Sequence, residues 1–288
     1  MNNVENNFIG VFDSGFGGIS LLNMCVNNMP NENYVFFADT LNCPYGKKSK
    51  SELVNIGNNI INKFYTLGAK EVLIACNTMS TADFSALKNH NKNIHIVGTF
   101  PNLSSMIKPT LILSEAKITF DNLKFDVERS LKKVLILATT ATCNSAYMKE
   151  QIKSYKKHIE VCVEACDPIV LAVENNELES LSFKKYLSKL LSKYTDIDYI
   201  LLGCTHFIFV EKYIKETVGD KVQIISGGDI AVSETIKFIN NNNLSNISLD
   251  KKYIKIIDAK IGNDRKTIYE NLLSIDKDDY NITFTNSF

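Results

Sequence analysis

Residues 71–78 read EVLIACNT, a short apolar run that ends in cysteine, asparagine and threonine. Such a run is typical of a strand buried on both faces, and the polar residues after it can begin a helix. Residues 200–206 read ILLGCTH and repeat this arrangement. In both stretches a cysteine lies at the carboxyl end of a predicted strand, where open parallel sheets bind their ligands.

Short apolar runs of this kind recur along the chain, and most intervals between them carry apolar residues at helical spacing. The predicted strands are Phe8–Phe12, Tyr34–Phe37, Glu71–Ala75, Ile94–Val97, Lys133–Leu137, Glu160–Val163, Asp198–Leu202 and Val222–Ile225. Continuous apolar strands that alternate with amphipathic helices are typical of a parallel sheet covered on both faces. We therefore predict an α/β protein.

An internal repeat divides the chain into two halves. FIGVFDS (Phe8–Ser14) and VLILATTAT (Val134–Thr142) each end in polar residues, and each precedes one of the two cysteine-containing strands at nearly the same distance. We predict two similar parallel-sheet α/β domains with the active site in the cleft between them. The expected first domain combines residues 1–101 with 207–288, and the expected second domain is 102–206.

Two stretches outside these strands give weaker signals. Leu111–Leu131 is charged and amphipathic, which predicts a helix or an extended surface connection between the halves. The chain after Asn240 is rich in Asn, Lys and Ile, and we predict one helix there, around Lys266–Leu273. The abundance of Asn is a compositional bias that says little about function.

Composition and charge argue against several classes of protein. The 288 residues include 32 Lys plus Arg and 32 Asp plus Glu, so no net field favours a nucleic acid or a membrane surface. Neither a signal-peptide pattern nor a membrane-spanning apolar run is found, and we expect a cytoplasmic protein. The seven cysteines are odd in number and irregularly spaced, which favours reduced thiols over a disulfide framework.

No metal site is predicted. Cys162 and Cys166 have the spacing of a metal-binding pair. However, no second pair and no histidine cluster lies at ligand spacing, so zinc is a minor alternative. Most of the cysteines are expected to be small buried residues.

Cys76 and Cys204 are the candidate catalytic residues. Each lies between an apolar strand and residues that can begin a helix, where the helix dipole is expected to lower the thiol pKa. His206 can hold or donate a proton close to Cys204. One such cysteine is commonly just a buried residue, but the same context twice favours chemistry. Asp13 and Ser14 open the Gly-rich turn DSGFGG, which can bind an anion or merely cap a helix.

Two opposed thiols suit the inversion of a stereocentre by proton transfer. Inversion needs a base on one face and an acid on the other, and the roles exchange in the reverse direction. A thiol with a pKa of about 8.5 can serve in either role near neutral pH. The α-proton of an amino acid is very weakly acidic, so oriented N–H groups and hydroxyls must also stabilise the carbanion or enolate.

Four motifs resemble those of the glutamate racemases of the aspartate/glutamate racemase superfamily: GVFDSGFGG, ADTLNCPYG, LIACNT and LLGCTH. The fainter stretches IVGTFPN, LATTAT, CDPIVLAVE and ISGGDIA also fall in the expected order, so the resemblance covers about Phe8 to Phe238. It implies a racemase that interconverts L- and D-glutamate without a cofactor and supplies D-glutamate for peptidoglycan. Glutamate would be its small-molecule partner, and a homodimer is a further expectation.

The resemblance also implies roles for individual residues. Cys76 would face the D-enantiomer and Cys204 the L-enantiomer as acid/base catalysts. Asp13 and Ser14 would meet the substrate amino group and support the first thiol, and His206 would both bind substrate and assist Cys204. The other implied substrate-binding positions are Tyr45, Gly46, Asn77, Thr78 and Thr205, and also Asp39, Thr139, Thr142 and Glu174.

Three departures from the family pattern leave the shape of the pocket open. Ala138 and Asn102 stand where the family usually has Gly, and Phe207-Ile208 stands where it usually has Tyr-Pro. None of them replaces a proton-transfer residue. Two alternatives therefore remain: an aspartate or broader-specificity amino-acid racemase of the same superfamily, and a non-catalytic relic that only binds amino acids.

Overall fold

The computed structural model describes residues 7–103, 131–247 and 252–288. Within them the chain forms two β-sheets in which every strand pair is parallel. The strands are β1 (Phe8–Asp13), β2 (Tyr34–Ala38), β3 (Ala69–Ile74), β4 (His95–Gly98), β5 (Lys132–Ala138), β6 (Ile159–Ala165), β7 (Tyr199–Gly203), β8 (Gln223–Ser226), β9 (Lys252–Asp258) and β10 (Tyr280–Thr285).

The first sheet has six strands in the order β10-β9-β2-β1-β3-β4. All six residues of β1 are buried. Ile9 and Val11 belong to one apolar cluster, and Phe8 and Phe12 belong to another. Because successive side chains of a strand point to opposite faces, helices cover this sheet on both sides.

The second sheet has four strands in the order β6-β5-β7-β8. Its central strand β5 is built in the same way as β1. Leu135 and Leu137 pack into one apolar cluster, and Val134 and Ile136 pack into another. The continuous apolar runs in the sequence therefore reflect burial on both faces of each sheet.

Ten α-helices lie between and beside these strands within the described residues. They are α1 (Ile19–Asn28), α2 (Lys50–Thr66), α3 (Asn77–His90), α4 (Thr140–Asn144), α5 (Ala146–Tyr155), α6 (Asp167–Glu174), α7 (Leu181–Leu191), α8 (Glu211–Val218), α9 (Gly228–Asn241) and α10 (Asn263–Leu272). The start of α2 is a capping box, in which Ser49 and Glu52 satisfy each other's backbone N–H groups. Three 3₁₀ turns, Phe16–Gly18, Tyr45–Lys47 and Thr205–Val210, follow strand ends and contribute to the site described below.

The sequence prediction of two parallel-sheet α/β units is confirmed, and each of the eight predicted strands coincides with one of β1 to β8. The prediction that the tail holds a single helix is incomplete. The expected helix is present as α10, but the tail also contributes β9 and β10, which extend the first sheet beside β2. The connector predicted at 111–131 lies almost entirely outside the described residues.

The division of the chain into domains stays a prediction. The strand pairing favours a return of the chain from the second domain to the first that is later than residue 207. β8 lies within 207–288 and pairs with β7 in the second sheet. The chain then enters α9, whose Ala231, Val232 and Ile239 pack in the core of the first sheet. A crossing near Gly227 fits this pairing better than one at residue 206.

Within residues 7–103, 131–247 and 252–288, no helix is both long and apolar enough to cross a lipid bilayer.

Candidate active site

The carboxyl ends of the central strands of one sheet face the carboxyl ends of the central strands of the other. β1 and β3 pair side by side in the first sheet, and β5 and β7 pair in the second. Two hydrogen bonds join these ends across the interface: Thr205 Oγ1 lies 2.6 Å from Asp13 Oδ2, and Thr78 Oγ1 lies 2.8 Å from Thr139 Oγ1. Residues from four strand ends are therefore brought to one place.

Cys76 follows β3 and occupies the N-cap position of α3, and it is only 5% exposed. Burial raises its thiol pKa well above the ordinary value, and the neighbouring Asp13 charge adds to this. The Met79 N–H and the Ser14 hydroxyl act in the opposite direction, since both stabilise a thiolate. The prediction that the helix N-terminus lowers this pKa is therefore wrong, because desolvation outweighs the helix dipole and these hydrogen bonds.

Cys204 follows β7 and is 8% exposed. The next residues form a six-residue 3₁₀ turn, Thr205–Val210, instead of an α-helix. The Cys204 Sγ lies 3.8 Å from His206 Nδ1, so the imidazole can exchange a proton with the thiol or stabilise its thiolate. Cys204 also contributes to the pKa of Cys76, so the two thiols lie close enough for their charges to interact.

His206 is held between Cys204 and Glu174. Its Nε2 lies 2.7 Å from Glu174 Oε1, and its side chain is fully enclosed. Burial alone would lower the pKa of His206, but hydrogen bonds and the negative charges of Cys204 and Glu174 raise it well above the ordinary value. Burial would raise the pKa of Glu174, but His206, the Phe16 N–H and Arg265 lower it overall. Both shifts favour the imidazolium–carboxylate ion pair.

Asp13 ends β1 and is completely buried. Its Oδ1 accepts hydrogen bonds from the Ser14 N–H at 2.5 Å and from the Ser14 hydroxyl at 3.1 Å. Burial raises the pKa of Asp13, although the charge of His206 and the hydrogen bonds from Thr205 and Ser14 oppose this. A buried carboxyl group with a raised pKa beside a thiol is well placed to accept a proton or to bind an ammonium group.

Tyr45 and Asp39 hold each other at the edge of the site. The Tyr45 hydroxyl donates a 2.6 Å hydrogen bond to Asp39 Oδ2, and both side chains are buried. Burial and the Asp39 charge raise the pKa of Tyr45 well above its ordinary value, so it remains a hydrogen-bond donor. The next residue, Gly46, lies against the second sheet, and a Cβ there would come within 2.2 Å of Asp167 Oδ1.

The threonines at the site form a cluster that joins the sheets. Thr139 Oγ1 lies 3.0 Å from Thr142 Oγ1, and Thr142 also approaches Thr78 at 3.4 Å. Their hydroxyls satisfy one another, which makes these residues a bridge between α3 and the end of β5.

Asn77 offers the site a buried hydrogen-bond acceptor. Its side-chain Oδ1 is buried and has no hydrogen-bond partner among the described residues. Asn77 also lines a small cavity of about 40 Å³ together with Cys204 and Thr205. A buried acceptor oxygen between the two cysteine-containing segments is therefore available to a hydrogen-bond donor of a ligand.

The Gly-rich turn of residues 15–18 lies directly against the residues that follow the second thiol, and against Glu174. A Cβ on Gly17 would lie 2.4 Å from Thr205 Oγ1 and 2.6 Å from His206 Nδ1. A Cβ on Gly15 would lie 1.9 Å from Glu174 Oε1. The backbone of the DSGFGG motif thus packs directly against the His206–Glu174 pair. A side chain at Gly15 or Gly17 would displace that pair.

Every sequence-predicted site residue lies at the facing strand ends or in contact with a residue there. The contributions of the C-terminal segment were not foreseen: Arg265 of α10 binds Glu174, and Asp258 of β9 binds Arg265. Asp167, which accepts from the Thr140 N–H at 2.9 Å, was also missed. One signal was available for Arg265, because arginine occupies only two of the 32 basic positions, 129 and 265.

All seven cysteines are unpaired. Within the described part of the chain, no cluster of three or more His, Cys, Asp or Glu residues could hold a metal ion. Cys162 belongs to β6, and Cys166 is buried at the N-terminus of α6.

Comparison with known proteins agrees with this architecture. The sequence profile of the Asp/Glu/Hydantoin racemase family matches residues 119–235. A glutamate racemase of Clostridium perfringens is 35% identical over 258 residues, which are 89% of this chain and 92% of that protein. A glutamate racemase of Clostridium acetobutylicum is 33% identical over 258 residues, covering 89% and 93% of the two chains.

Solved structures share the fold. The crystal structure of glutamate racemase isoform RacE1 from Bacillus anthracis superposes with a TM-score of 0.78 at 22% identity, covering 98% of this chain and 97% of that one. Glutamate racemase from Francisella tularensis in complex with D-glutamate gives 0.74 at 25% identity, covering 96% and 97%. The predicted family relationship is confirmed: this chain belongs to the glutamate racemases of the aspartate/glutamate racemase superfamily.

Proposed function

We propose that this protein interconverts L- and D-glutamate by moving the α-proton between two thiols, those of Cys76 and Cys204. The observation that carries the proposal is the placement of these thiols. Each is buried at the carboxyl end of a central strand, one in each sheet, and the two strand ends face each other. The names of the relatives support glutamate as the substrate.

The two proton transfers at the α-carbon balance between the two thiols. The thiolate on one face takes the α-proton, and the electron pair of the broken C–H bond delocalises into the α-carboxylate. The thiol on the other face then gives its proton to the opposite side of the α-carbon and becomes a thiolate. Proton exchange with solvent returns the enzyme to its starting state, and the reverse reaction exchanges the roles.

Generating a thiolate at Cys76 requires help, because burial favours the neutral thiol. Asp13 lies next to this thiol and can accept its proton, or can receive the substrate ammonium group. The Ser14 hydroxyl and the Met79 N–H stabilise the thiolate that results. On the opposite side, the His206 imidazolium lies 3.8 Å from Cys204 and can stabilise that thiolate or return a proton to it.

The substrate carboxylates are proposed to bind at the starts of α3 and of the Thr205–Val210 turn. Backbone N–H groups at the start of a helix favour an anion. The Asn77 Oδ1 is buried without a partner among the described residues and can accept a hydrogen bond from the substrate amino group. Thr78, Thr205, Tyr45 and Gly46 complete this set, and Asp39, Thr139, Thr142 and Glu174 support it from behind.

The wider proposal follows the family. The enzyme would work in the cytoplasm without a cofactor, would supply D-glutamate for peptidoglycan, and would form a homodimer. Purified protein freed of small molecules should therefore racemise glutamate at full rate without additions, and a marked gain on adding pyridoxal phosphate would contradict this part of the proposal.

The test is α-proton exchange in deuterated water, measured by NMR together with enantiomer analysis. The intact protein should convert D-glutamate into L-glutamate and incorporate deuterium at Cα. Cys76→Ala and Cys204→Ala should each lose at least about 10³-fold in racemisation, since either change removes an acid/base group. Cys162→Ala, on β6 away from the site, is the matched control and should keep wild-type activity.

Three outcomes separate the alternatives. Faster turnover of D-aspartate than of D-glutamate would indicate an aspartate or broader-specificity racemase. Binding of glutamate without exchange in the intact protein would indicate a binding protein. Full activity in either cysteine variant would refute the two-thiol mechanism.

A further inference from the structure

The carboxylate that holds His206 is itself held from the other side by Arg265. Glu174 Oε1 accepts the Phe16 N–H at 2.8 Å and lies 2.7 Å from His206 Nε2. Its second oxygen, Oε2, lies 3.3 Å from Arg265 Nη2. Both oxygens of this partly buried carboxylate therefore have fixed partners, which come from α10, from the 3₁₀ turn after β1, and from His206.

Arg265 is in turn locked in place. Its Nε donates a 2.8 Å hydrogen bond to Asp258 Oδ2, and its guanidinium carbon lies 4.0 Å from the centre of the Phe16 ring. Asp258 is completely buried and also accepts the Tyr269 hydroxyl at 2.8 Å, the Lys260 N–H at 2.9 Å and the Thr40 hydroxyl. The guanidinium is thus fixed by a carboxylate at one edge and by an aromatic face.

The choice of arginine at this position is informative. The chain has 32 basic residues, of which only Arg129 and Arg265 are arginines, so lysine is its usual surface cation. A planar guanidinium can bind two carboxylates in fixed directions and stack on a ring at the same time, whereas an ammonium group cannot. Position 265 uses all three of these contacts.

We infer that Arg265, held by Asp258, is a positioning residue for proton transfer at Cys204. This inference rests on the proposed function. A glutamate side chain has three rotatable bonds, and Arg265 removes the freedom of Glu174 to leave His206. Glu174 then fixes the imidazole ring with Nε2 towards the carboxylate and Nδ1 towards the sulfur. The C-terminal segment therefore sets the geometry of the second thiol without touching the substrate.

The charge of Arg265 gives this role a measurable signature. The titratable and charged groups around the Glu174–His206 pair are Asp13, Cys43, Cys204, Asp258, Arg265 and Tyr269. A cation beside the pair disfavours any additional proton on it. Replacement of Arg265 by a neutral residue therefore raises the pKa values of the coupled pair and moves the pH profile of kcat to higher pH.

The test compares Arg265→Met and Arg265→Lys with the matched control Lys266→Met. Lys266 is the next residue on the same helix, and its side chain is exposed and lies 3.7 Å from Glu270. Arg265→Met should lower kcat about 10- to 100-fold and change KM less than kcat, because Arg265 positions the pair without contacting the substrate itself. Arg265→Lys should return the pH profile to its wild-type position but restore kcat only in part. Lys266→Met should change neither quantity.

Kinetic isotope effects distinguish positioning from general destabilisation. If proton transfer at Cys204 slows, it becomes more rate-limiting, so the α-deuterium effect rises in the direction where Cys204 removes the proton. It falls in the opposite direction. A melting temperature is recorded for each variant. If Arg265→Met does not fold, kcat as a function of pH and the isotope effects of Arg265→Lys decide instead.

The outcomes separate this inference from the proposed function. A wild-type protein that does not racemise glutamate refutes the proposed function itself. A wild-type protein that racemises, with an Arg265→Met variant that keeps its kcat, pH profile and isotope effects, refutes only the positioning role. α-Deuterium isotope effects that change by the same factor in both directions of racemisation, together with a lower melting temperature, would also refute the positioning role.

Discussion

Thr205, the residue after the second thiol, donates its hydroxyl to Asp13 at the end of β1, with 2.6 Å between Oγ1 and Oδ2. Asp13 belongs to the first sheet and Thr205 follows a strand of the second. Both side chains are buried, so the hydrogen bond is shielded from water. The carboxyl group beside Cys76 is thereby linked directly to the turn that carries Cys204 and His206.

Replacement of Thr205 by valine should destabilise the protein as well as slow the reaction. The change keeps the shape of the side chain but leaves Asp13 Oδ2 without its donor, which costs about 1–3 kcal/mol of unfolding free energy. Chemical denaturation measures this loss. Thr205→Ser keeps the hydroxyl and should stay close to wild type, and exposed Thr217→Val is the control. Equal stability of Thr205→Val and Thr217→Val would count against the link.

The His206–Glu174 ion pair should make stability depend on pH in a defined window. The folded-state pKa of His206 is raised above 6.5, so its contribution is full below pH 6.5 and declines as the pH rises towards the folded value. The folded-state pKa of Glu174 is lowered below 4.5, so its contribution is full above pH 4.5 and declines in more acidic solution. The unfolding free energy lost in His206→Gln should therefore be greatest between pH 4.5 and 6.5.

Denaturation of wild type and His206→Gln across this range and up to about pH 9 checks the sign. The difference between them should shrink steadily above pH 6.5. A difference that grows with pH would mean that the imidazole is neutral in the folded protein. His158→Gln, at an exposed position, is the control and should give a small difference throughout.

Gly17→Ala should abolish most of the activity. The new methyl group would lie 2.4 Å from Thr205 Oγ1 and 2.8 Å from the His206 backbone nitrogen, so the turn after Cys204 must move. A displacement of about 1 Å at a reacting group can cost about 10²-fold in rate. Gly262→Ala is the matched control, since a Cβ there meets nothing within 4 Å. Wild-type kcat in Gly17→Ala would show that the close approach is not needed.

The opposite end of the first sheet contains a buried ion pair that should matter for stability and not for chemistry. Lys70 and Glu32 contact each other with side chains 5% and 4% exposed. Lys70 also donates to the Leu244 carbonyl, and Glu32 accepts from the Asn246 N–H. Lys70→Met leaves the buried Glu32 carboxylate without its cation and should cost about 3–5 kcal/mol of unfolding free energy.

Activity of Lys70→Met well below its melting temperature should remain near wild type, since the pair lies away from both thiols. Lys212→Met removes an exposed pair with Glu216 and should change the unfolding free energy by less than about 0.5 kcal/mol. Similar melting temperatures for the two variants would show that the buried pair contributes no more than a surface contact.

Much of this fold could be predicted from the sequence because its strands are buried on both faces. Runs such as Val72–Ala75 or Ile200–Leu202 contain no polar residue, so they can be recognised as strands from the sequence. β9 and β10 were missed for the opposite reason. Lys252 and Lys255 interrupt β9, and β10 includes Asn281 and Thr283, so both resemble the Asn- and Lys-rich segments around them.

The site residues that belong to local sequence motifs were predictable. Those that reach the site from distant segments of the chain were not. Cys76 and Cys204 stand in recognisable contexts, but no local pattern joins Asp258 or Arg265 to Glu174. The direction of the Cys76 pKa was also beyond the sequence. A helix N-terminus can be anticipated from Asn77 and Thr78, whereas the burial of Cys76 next to Asp13 is a property of the assembled sheets.

The insertion of β9 next to β2 has a consequence for how the protein is made. Residues 252–258 are translated after both thiols, yet they pair with a strand near the start of the chain. Until they leave the ribosome, one edge of β2 stays open and Glu174 has no guanidinium beside it. The nascent chain is therefore expected to carry both cysteines without a finished proton relay, and the growing polypeptide to acquire its full turnover only after β9 and α10 have docked.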